Sequence, residues 1–356
     1  MACRLNQGAS RGFDKAAENL ARAAQVVLSG ELLRQVVEAE GRGVLAALRS
    51  GALAIPWTAA DCRIPPASES DGPAAARAPT PAVASPATRV YLGSDGVKVP
   101  LVTDVEKQAR RQKVKQERRR RGKKCRPLPR AKPGADQRYK EFKIVTYYDD
   151  AQEHRHVSVT QGDHEAAGAL MRRDACRLRL GEADDKVAVV DGADWIRNQI
   201  EGQSLPIDVI ELDFYHLAEN VHKARRVVYG DESALGEGWA AGVLHTAKHE
   251  GYEVFRDELV AWKAGLRGSK KRQAAEGLIG YVTDRREMVA YPEYLAAGRQ
   301  IGSGPTESMC KATTARLKGV GMRWDGGNAE AVMALEALEQ SGEWKAYWDH
   351  RRKPAA

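Results

Sequence analysis

The sequence predicts an α/β fold in which a mixed sheet is flanked by helices. Residues 141–148 and 154–159 are rich in β-branched and aromatic side chains and are separated by a short polar turn, which indicates a β-hairpin. Apolar strands at 186–190 and 207–212 enclose a helix-like stretch, and strand–helix–strand units usually place their two strands in parallel. A hairpin that continues into parallel strands predicts a mixed sheet.

Length and composition bound the class of protein. At 356 residues the chain has room for two or three domains, and its 43% apolar content is close to that of soluble proteins. No apolar run reaches the roughly 18 residues of a membrane-spanning helix, and the N-terminus lacks the apolar part of a secretory signal. Five scattered cysteines without a C-x-x-C pair argue against a disulfide framework or a zinc knuckle. We therefore expect a cytoplasmic protein that contacts no membrane.

The N-terminal part divides into a helical region and a linker. Residues 13–50 carry apolar residues at helical spacing, with a break at Ser29 and Gly30 that predicts two helices. Two helices across a turn indicate either a DNA-binding helix-turn-helix or a simple helical hairpin, so residues 1–62 are a possible DNA-binding region. Residues 63–88 are dominated by Pro, Ala and Ser, which is typical of a flexible linker.

The remaining strands and helices complete the predicted catalytic domain. Strands are expected at 89–94 and 98–103, separated by a turn at Asp95 and Gly96, a common hairpin pair. The first part of the predicted catalytic domain spans 89–224 and contains a basic insertion at 104–140. A helical insertion follows at 225–300. The last part of the catalytic domain, at 301–345, has predicted helices at 306–317 and 328–339 and precedes a basic tail at 346–356.

Positive charge is concentrated in the insertion at 104–140, which has sixteen Lys and Arg against four Asp and Glu. Such a segment is either a solvated helix face or a disordered loop. In both cases its charge density predicts a polyanionic partner, bound mainly through phosphate contacts. The densest part comprises Arg118, Arg119, Arg120, Arg121, Lys123 and Lys124.

Three acidic residues stand where they can present carboxylates to metal ions. Asp95 and Asp191 each end an apolar run, and Glu307 opens a helix-like stretch after a Gly- and Pro-containing loop. Taken singly, each has an ordinary explanation: Asp95 as a turn residue, Asp191 as a helix N-cap, and Glu307 as one half of an ion pair with Lys311. If they converge, they form a site for two divalent cations.

Two further groups accompany these acids. Asp213 ends the next strand and has His216 three residues beyond it, although an ordinary core or surface histidine is the commoner explanation. Lys311 and Lys318 are spaced so that a helix would place them on the same face as Glu307. Lysines beside a carboxylate suit metal binding next to a phosphate backbone.

Taken together, these motifs resemble those of bacterial insertion-sequence transposases of the DDE class, which have an RNase-H-like catalytic domain. The resemblance covers roughly residues 88–340, and its last block is the most specific. It is carried by residues 90–96, 191–196 and 213–216 and by the block 302–324.

The resemblance implies a mixed five-stranded sheet and a catalytic triad of Asp95, Asp191 and Glu307. It further implies two Mg²⁺ ions, for which Mn²⁺ may substitute, and double-stranded DNA as partner, both element ends and target. Asp213 and His216 would support the site, and Lys311, Lys318 and Arg323 would contact phosphates. We expect a dimer or larger assembly on DNA in a bacterial, nucleoid-associated setting.

Two other functions fit the same sequence. An RNase-H-like nuclease or resolvase would cut DNA without joining strands. A non-catalytic DNA-binding protein would use only the basic segment and the N-terminal helices.

Overall fold

The computed structural model describes residues 12–65, 86–123, 127–128 and 130–352. Lys124, predicted to contact DNA, lies outside these ranges, as do most of the predicted linker at 63–88 and the last four residues of the predicted basic tail.

Five strands form one mixed sheet: β1 (Arg89–Pro100), β2 (Tyr139–Tyr148), β3 (Arg155–Thr160), β4 (Asp185–Val190) and β5 (Val209–Leu212). Their order across the sheet is β3–β2–β1–β4–β5. β2 is antiparallel to both β1 and β3, whereas β1, β4 and β5 are mutually parallel. The mixed α/β architecture, the hairpin and the strand–helix–strand unit are therefore confirmed.

The predicted turn at Asp95 and Gly96 is wrong, because β1 runs through both residues without interruption. Its backbone pairs with β2 continuously, and Asp95 lies opposite Ile144. Pairing with a long partner strand outweighs the local turn preference of the Asp-Gly pair. The two strands predicted at 89–94 and 98–103 are thus one central strand, and Asp95 lies inside it.

Helices surround the sheet and account for the strand-free parts of the sequence. The predicted break between the N-terminal helices is confirmed, since the Ser29 side chain caps the second helix by accepting a hydrogen bond from Leu32 N–H. No helix within the described ranges is both long and apolar enough to cross a membrane. The helices are α1 (Phe13–Ala24), α2 (Gly30–Ser50), α3 (Asp104–Arg120), α4 (His164–Arg177), α5 (Asp194–Gly202), α6 (Phe214–Tyr229), α7 (Ala234–His249), α8 (Tyr252–Gly265), α9 (Ser269–Thr283), α10 (Tyr291–Ala296), α11 (Gly304–Ala315), α12 (Gly326–Gln340) and α13 (Trp344–Arg352).

The two faces of the sheet bury separate cores. One core combines the sheet with α1, α2, α11 and α12, and the other combines it with α4 to α10. The N-terminal helices are part of the first core, and α2 packs closely on α12. A Cβ atom at Gly41 would lie 2.5 Å from the backbone oxygen of Ala331, so glycine permits this contact.

The first part of the basic segment, Asp104–Arg120, is a solvated helix. α3 has no buried residue, and the Thr103 hydroxyl and Glu106 carboxylate close its N-terminus in a capping box. Arg118, Arg119 and Arg120 form its last turn, where cations interact favourably with the helix dipole. The segment therefore presents its charge on an ordered, exposed element.

A buried ionic network holds residues 297–299, which follow the helical insertion, against the sheet. The Arg89 guanidinium, at the start of β1, donates to the Asp185 carboxylate over 2.7 Å and to the carbonyl oxygens of Ala297 and Gly298 over 2.7 and 2.8 Å. Arg299 donates to the same Asp185 carboxylate over 2.8 Å. The segment that precedes α11 is thereby held against β1 and β4.

A second buried cluster joins β3 to α4 and to the turn between α12 and α13. His156 is fully buried, with its Nδ1 atom 2.8 Å from a Glu343 oxygen and its Nε2 atom 3.5 Å from an Asp174 oxygen. Burial favours the neutral ring, but the charges and hydrogen bonds of Asp174 and Glu343 outweigh it and raise the pKa of His156 to about 9.

This shift predicts a pH dependence of stability. Because the pKa of His156 is higher in the folded state than its ordinary value of 6.5, protonation of His156 stabilises the native state. This contribution is complete below pH 6.5 and is lost as the pH rises through about 9. Relative to His156→Gln, the wild-type free energy of unfolding should fall by roughly 3 kcal/mol across that window. Urea unfolding at a series of pH values measures this. His164→Gln, at an exposed histidine, should follow the wild type, and parallel curves for wild type and His156→Gln would contradict the assignment.

Candidate active site

The parallel register of β1, β4 and β5 brings three aspartates to one level of the sheet. Leu92 of β1 lies opposite Ala188 of β4. Continued for three residues, this register aligns Asp95 with Asp191, which directly follows the end of β4. The last paired residues of β4 and β5 immediately precede Asp191 and Asp213, so Asp213 continues the row.

The first two of these aspartates lie on the face of the sheet that α11 covers. Side chains two residues apart on a strand face the same side. Tyr91 and Val97, which flank Asp95 at even spacing, belong to the core beneath α11. Val189, two residues before Asp191, belongs to the same core.

α11 rests directly on β1 at Gly93, two residues before Asp95. A Cβ atom there would lie 1.9 Å from the Thr306 hydroxyl oxygen, so only glycine lets the helix approach this closely. The Thr306 hydroxyl lies 3.1 Å from that of Thr146, which donates to the Gly93 carbonyl over 3.2 Å. This contact fixes the first turn of α11, and Glu307 is the next residue.

Asp213, His216 and Glu307 come together at this point. One ligand atom from each lies within 4.8 Å of the others. The buried Asp213 carboxylate accepts hydrogen bonds from Tyr215 N–H at 2.9 Å and Ser303 Oγ at 2.5 Å, and His216 Nδ1 lies 2.8 Å from it. Strand end, helix α6 and the loop before α11 are thus joined at one carboxylate.

These hydrogen bonds determine the protonation states of Asp213 and His216. Burial alone would raise the pKa of Asp213, but the hydrogen bonds from His216, Ser303 and Tyr215 lower it overall. The same hydrogen bond and the Asp213 charge raise the pKa of His216 to about 9, against the effect of burial. At neutral pH the site therefore contains an ionised Asp213 beside an imidazolium.

Asp95 and Asp191 are electrostatically linked to this group. Burial raises the pKa of Asp95, and the Asp191 charge adds to the increase, whereas His216 opposes it. Asp191 also contributes to the raised pKa of His216. The buried thiol of Cys310 on α11 has its pKa raised by burial and by the charges of Asp95 and Glu307. The charges at this site therefore influence one another's pKa values, and they belong to Asp95, Asp191, Asp213, His216 and Glu307.

The ordinary explanations of the three acids do not describe the structure. Asp95 lies within a strand, and the N-cap of α5 is Ala193, whose N–H donates to the Asp191 carboxylate over 2.8 Å. Glu307 forms no ion pair or side-chain hydrogen bond with Lys311 or any other described residue.

The predicted phosphate contacts differ in their settings. Lys311 is exposed on α11. Lys318 is also exposed but follows the end of α11 at Ala315, so the predicted shared helical face is wrong for it. Its charge still lowers the pKa of Cys310, which places it near the acids. Arg323 is ion-paired with Glu106, so the structure does not present it as a free phosphate contact.

Sequence inspection missed the residues that hold the site together. Ser303 is the N-cap residue of α11, but its hydroxyl donates to Asp213 instead of making a cap hydrogen bond. No local sequence pattern indicates the contact between Thr146 and Thr306. Gly93 does carry a signal, because glycine inside an apolar strand indicates a close backbone approach.

The donors available at the site are mainly carboxylate oxygens, as hard divalent cations prefer. Among described residues, only the Gly96 N–H donates to the Asp95 carboxylate, at 2.6 Å. The Glu307 carboxylate accepts no hydrogen bond from any of them. Oxygen atoms of Asp95, Asp191 and Glu307 therefore remain available to a cation, whereas Asp213 is already engaged.

A scan against protein-family models and a search of curated proteins both found no match for this chain.

The Gly93 contact gives a direct test of how α11 is positioned. Gly93→Ala would force the Thr306 hydroxyl away and displace the first turn of α11, with an expected loss of about 1–3 kcal/mol in the free energy of unfolding. Guanidinium unfolding measures it. Gly181→Ala adds a Cβ with nothing within 4 Å and should leave stability nearly unchanged. Equal effects of the two changes would show that α11 does not rest on β1 as described.

Proposed function

We propose that this protein is a DNA transposase of the DDE class, acting through Asp95, Asp191 and Glu307. The observation that supports the proposal is their common neighbourhood: Asp95 within β1 and Asp191 just after β4 interact electrostatically, and Glu307 lies on the helix that covers this face of the sheet. Sequence separations of about one hundred residues make this convergence a property of the fold rather than of local sequence.

The architecture supports an RNase-H-like catalytic domain. Its five-stranded mixed sheet is compatible with that fold. The acids lie on the first strand, just after the fourth strand and on a late helix, in agreement with the arrangement that the resemblance implies. The helices α7 to α10, between the second and third acids, match its helical insertion.

The available carboxylate oxygens fit two Mg²⁺ ions, with Mn²⁺ as a substitute. Bound there, such ions would supply Lewis-acid stabilisation of charge on phosphate oxygens and a more acidic water or hydroxyl. Asp95, Asp191 and Glu307 would hold them.

The other polar residues position the acids. The Asp213 carboxylate ties the end of β5 to Ser303 and His216, which fixes the loop that leads into Glu307. The His216 imidazolium offsets part of the repulsion among neighbouring carboxylates, since it lowers the pKa of both Asp95 and Asp213. The expected reactions are hydrolysis at the element ends and attack of the freed 3′-hydroxyl on target DNA.

DNA would be bound by the exposed cations of α3 and by Lys311 and Lys318 beside the acids. α3 displays its arginines on a solvated element, as nonspecific backbone contact requires. Joining two element ends to a target favours a dimer or larger assembly on the DNA.

The first test concerns catalysis. Asp95→Asn, Asp191→Asn and Glu307→Gln should each reduce Mg²⁺-dependent cleavage and strand transfer on the order of 100-fold or more, with DNA binding and circular dichroism retained. Labelled DNA ends taken from the sequence that flanks the gene serve as substrate. Asp194→Asn, at an exposed aspartate in the first turn of α5, is the matched control and should remain active.

The products separate the alternatives. Cleaved but unjoined ends would identify a nuclease or resolvase. DNA binding without cleavage, unchanged in all three variants, would identify a non-catalytic DNA-binding protein and overturn the proposal.

The second test concerns the basic helix. Replacing Arg118, Arg119 and Arg120 with glutamine should weaken binding similarly for all DNA sequences. The slope of log K against log salt should become shallower by about 0.9 for each phosphate that the variant no longer neutralises. Fluorescence anisotropy between low and high salt measures it. Arg323→Gln removes an arginine that pairs with Glu106 and should leave the slope unchanged. Identical slopes for the triple variant and the wild type would exclude α3 as the interface.

A further inference from the structure

We propose that Cys62, Asp149 and His154 form a Zn²⁺ site, separate from the acidic site and independent of the function proposed above. Asp149 directly follows β2, and His154 directly precedes β3, so both lie in the hairpin turn. Cys62 belongs to the segment that follows the N-terminal helices.

The three side chains already converge. One ligand atom from each lies within 4.8 Å of the others. Cys62 and Asp149 are buried, and the His154 side chain is 29% exposed, which leaves the cluster accessible from one side. The hairpin turn supplies Asp149 and His154, and a segment distant in sequence supplies Cys62. The tertiary structure therefore brings the three ligands together.

Other contacts hold the donor segments in place. The Trp57 ring packs against the His154 ring with centroids 5.5 Å apart, and its Nε1–H donates to the Arg155 carbonyl over 3.3 Å. The Cys62 carbonyl accepts from the Arg89 N–H at 2.9 Å. The His154 backbone N–H donates to the Asp149 carboxylate over 3.3 Å, and the His154 Nδ1 atom lies 2.7 Å from Asp149 Oδ2, a ring contact that a bound ion would replace. Preorganised donors lose little conformational freedom when a metal binds.

The local charge favours a cation. The Asp149 carboxylate is buried within the cluster, and Asp61 and Asp150 also act electrostatically on Cys62, so a divalent ion would offset several negative charges. On binding, the Cys62 thiol would release its proton to solvent, and the ion would take that place next to the carboxylate and the neutral imidazole.

The donor set selects the metal. Thiolate, imidazole and carboxylate are the ligands of zinc, whereas Mg²⁺ prefers oxygen alone. Three protein ligands leave one tetrahedral position for water or another ligand. The cysteine spacing gave no sign of this site, because its ligands are far apart in sequence and only one is a cysteine.

Cobalt(II) is the probe that distinguishes this site from the acidic one, because only a thiolate ligand gives a near-ultraviolet sulfur-to-cobalt charge-transfer band. Titration of the metal-free, full-length protein should produce that band at one equivalent, and Zn²⁺ should abolish it by competition. Cys62→Ser should lose the band. His154→Ala, at a partly exposed residue, should weaken Co²⁺ binding at least tenfold and keeps the test decisive if Cys62→Ser does not fold.

Two control variants define the outcome. Cys176→Ser removes an exposed free thiol and should leave the band intact. Asp213→Asn alters the acidic site and should also leave it intact, which separates the zinc site from the proposed function. A band that survives Cys62→Ser, a band that disappears with Cys176→Ser, or the absence of any band in the wild type would overturn the proposal.

Discussion

The position of the third acid depends on one buried guanidinium, that of Arg89. Its side chain is 1% exposed, and such a charge is tolerated only when partners replace the lost water. Asp185 and Asp150 supply opposite charge, and the carbonyls of Ala297 and Gly298 accept further hydrogen bonds. Because a hydrogen bond to a charged group contributes about 1.5–3 kcal/mol, other paths of the chain that lose these two carbonyl contacts are disfavoured. The path that remains leads through Ser303 into α11 and sets Glu307 over the sheet.

Hydrogen bonding divides the acidic residues into two groups. Asp213 accepts hydrogen bonds from a hydroxyl and a backbone N–H and lies against an imidazolium, so three contacts fix its carboxylate. Asp95 receives one backbone N–H among the described residues, and Glu307 receives none. The aspartate at the end of β5 therefore builds the site, whereas the others keep the electron pairs with which carboxylates bind cations. The position of an aspartate along the sheet does not by itself show whether its carboxylate is hydrogen-bonded, as in Asp213, or available, as in Asp95.

The sequence predicted the parts of the fold that depend on local pattern. The hairpin, the buried β4 and the helix break at Ser29 and Gly30 are set by side chains close together in the chain, and all are confirmed. Asp95 was misplaced because its turn preference is local, whereas its pairing with Ile144 is not. The Arg323 ion pair and the Ser303 hydrogen bond join residues 217 and 90 positions apart, so no local pattern could predict them. Helical spacing likewise failed at Lys318, where the helix ends three residues earlier.

The contacts of Arg89 also have a consequence for biosynthesis. Arg89 and Gly298 are 209 residues apart, and a ribosome adding about 5–20 residues per second needs roughly 10–40 s to produce the second after the first. During that interval the β1–β2 hairpin is complete, but the guanidinium lacks the carbonyl partners that it has in the finished fold. Its carboxylate partners Asp150 and Asp185 are made earlier, so the late carbonyl groups complete the hydrogen bonding of a charge that is already paired. Glu307 reaches the aspartates only afterwards, so the acidic centre is among the last parts of the molecule to assemble.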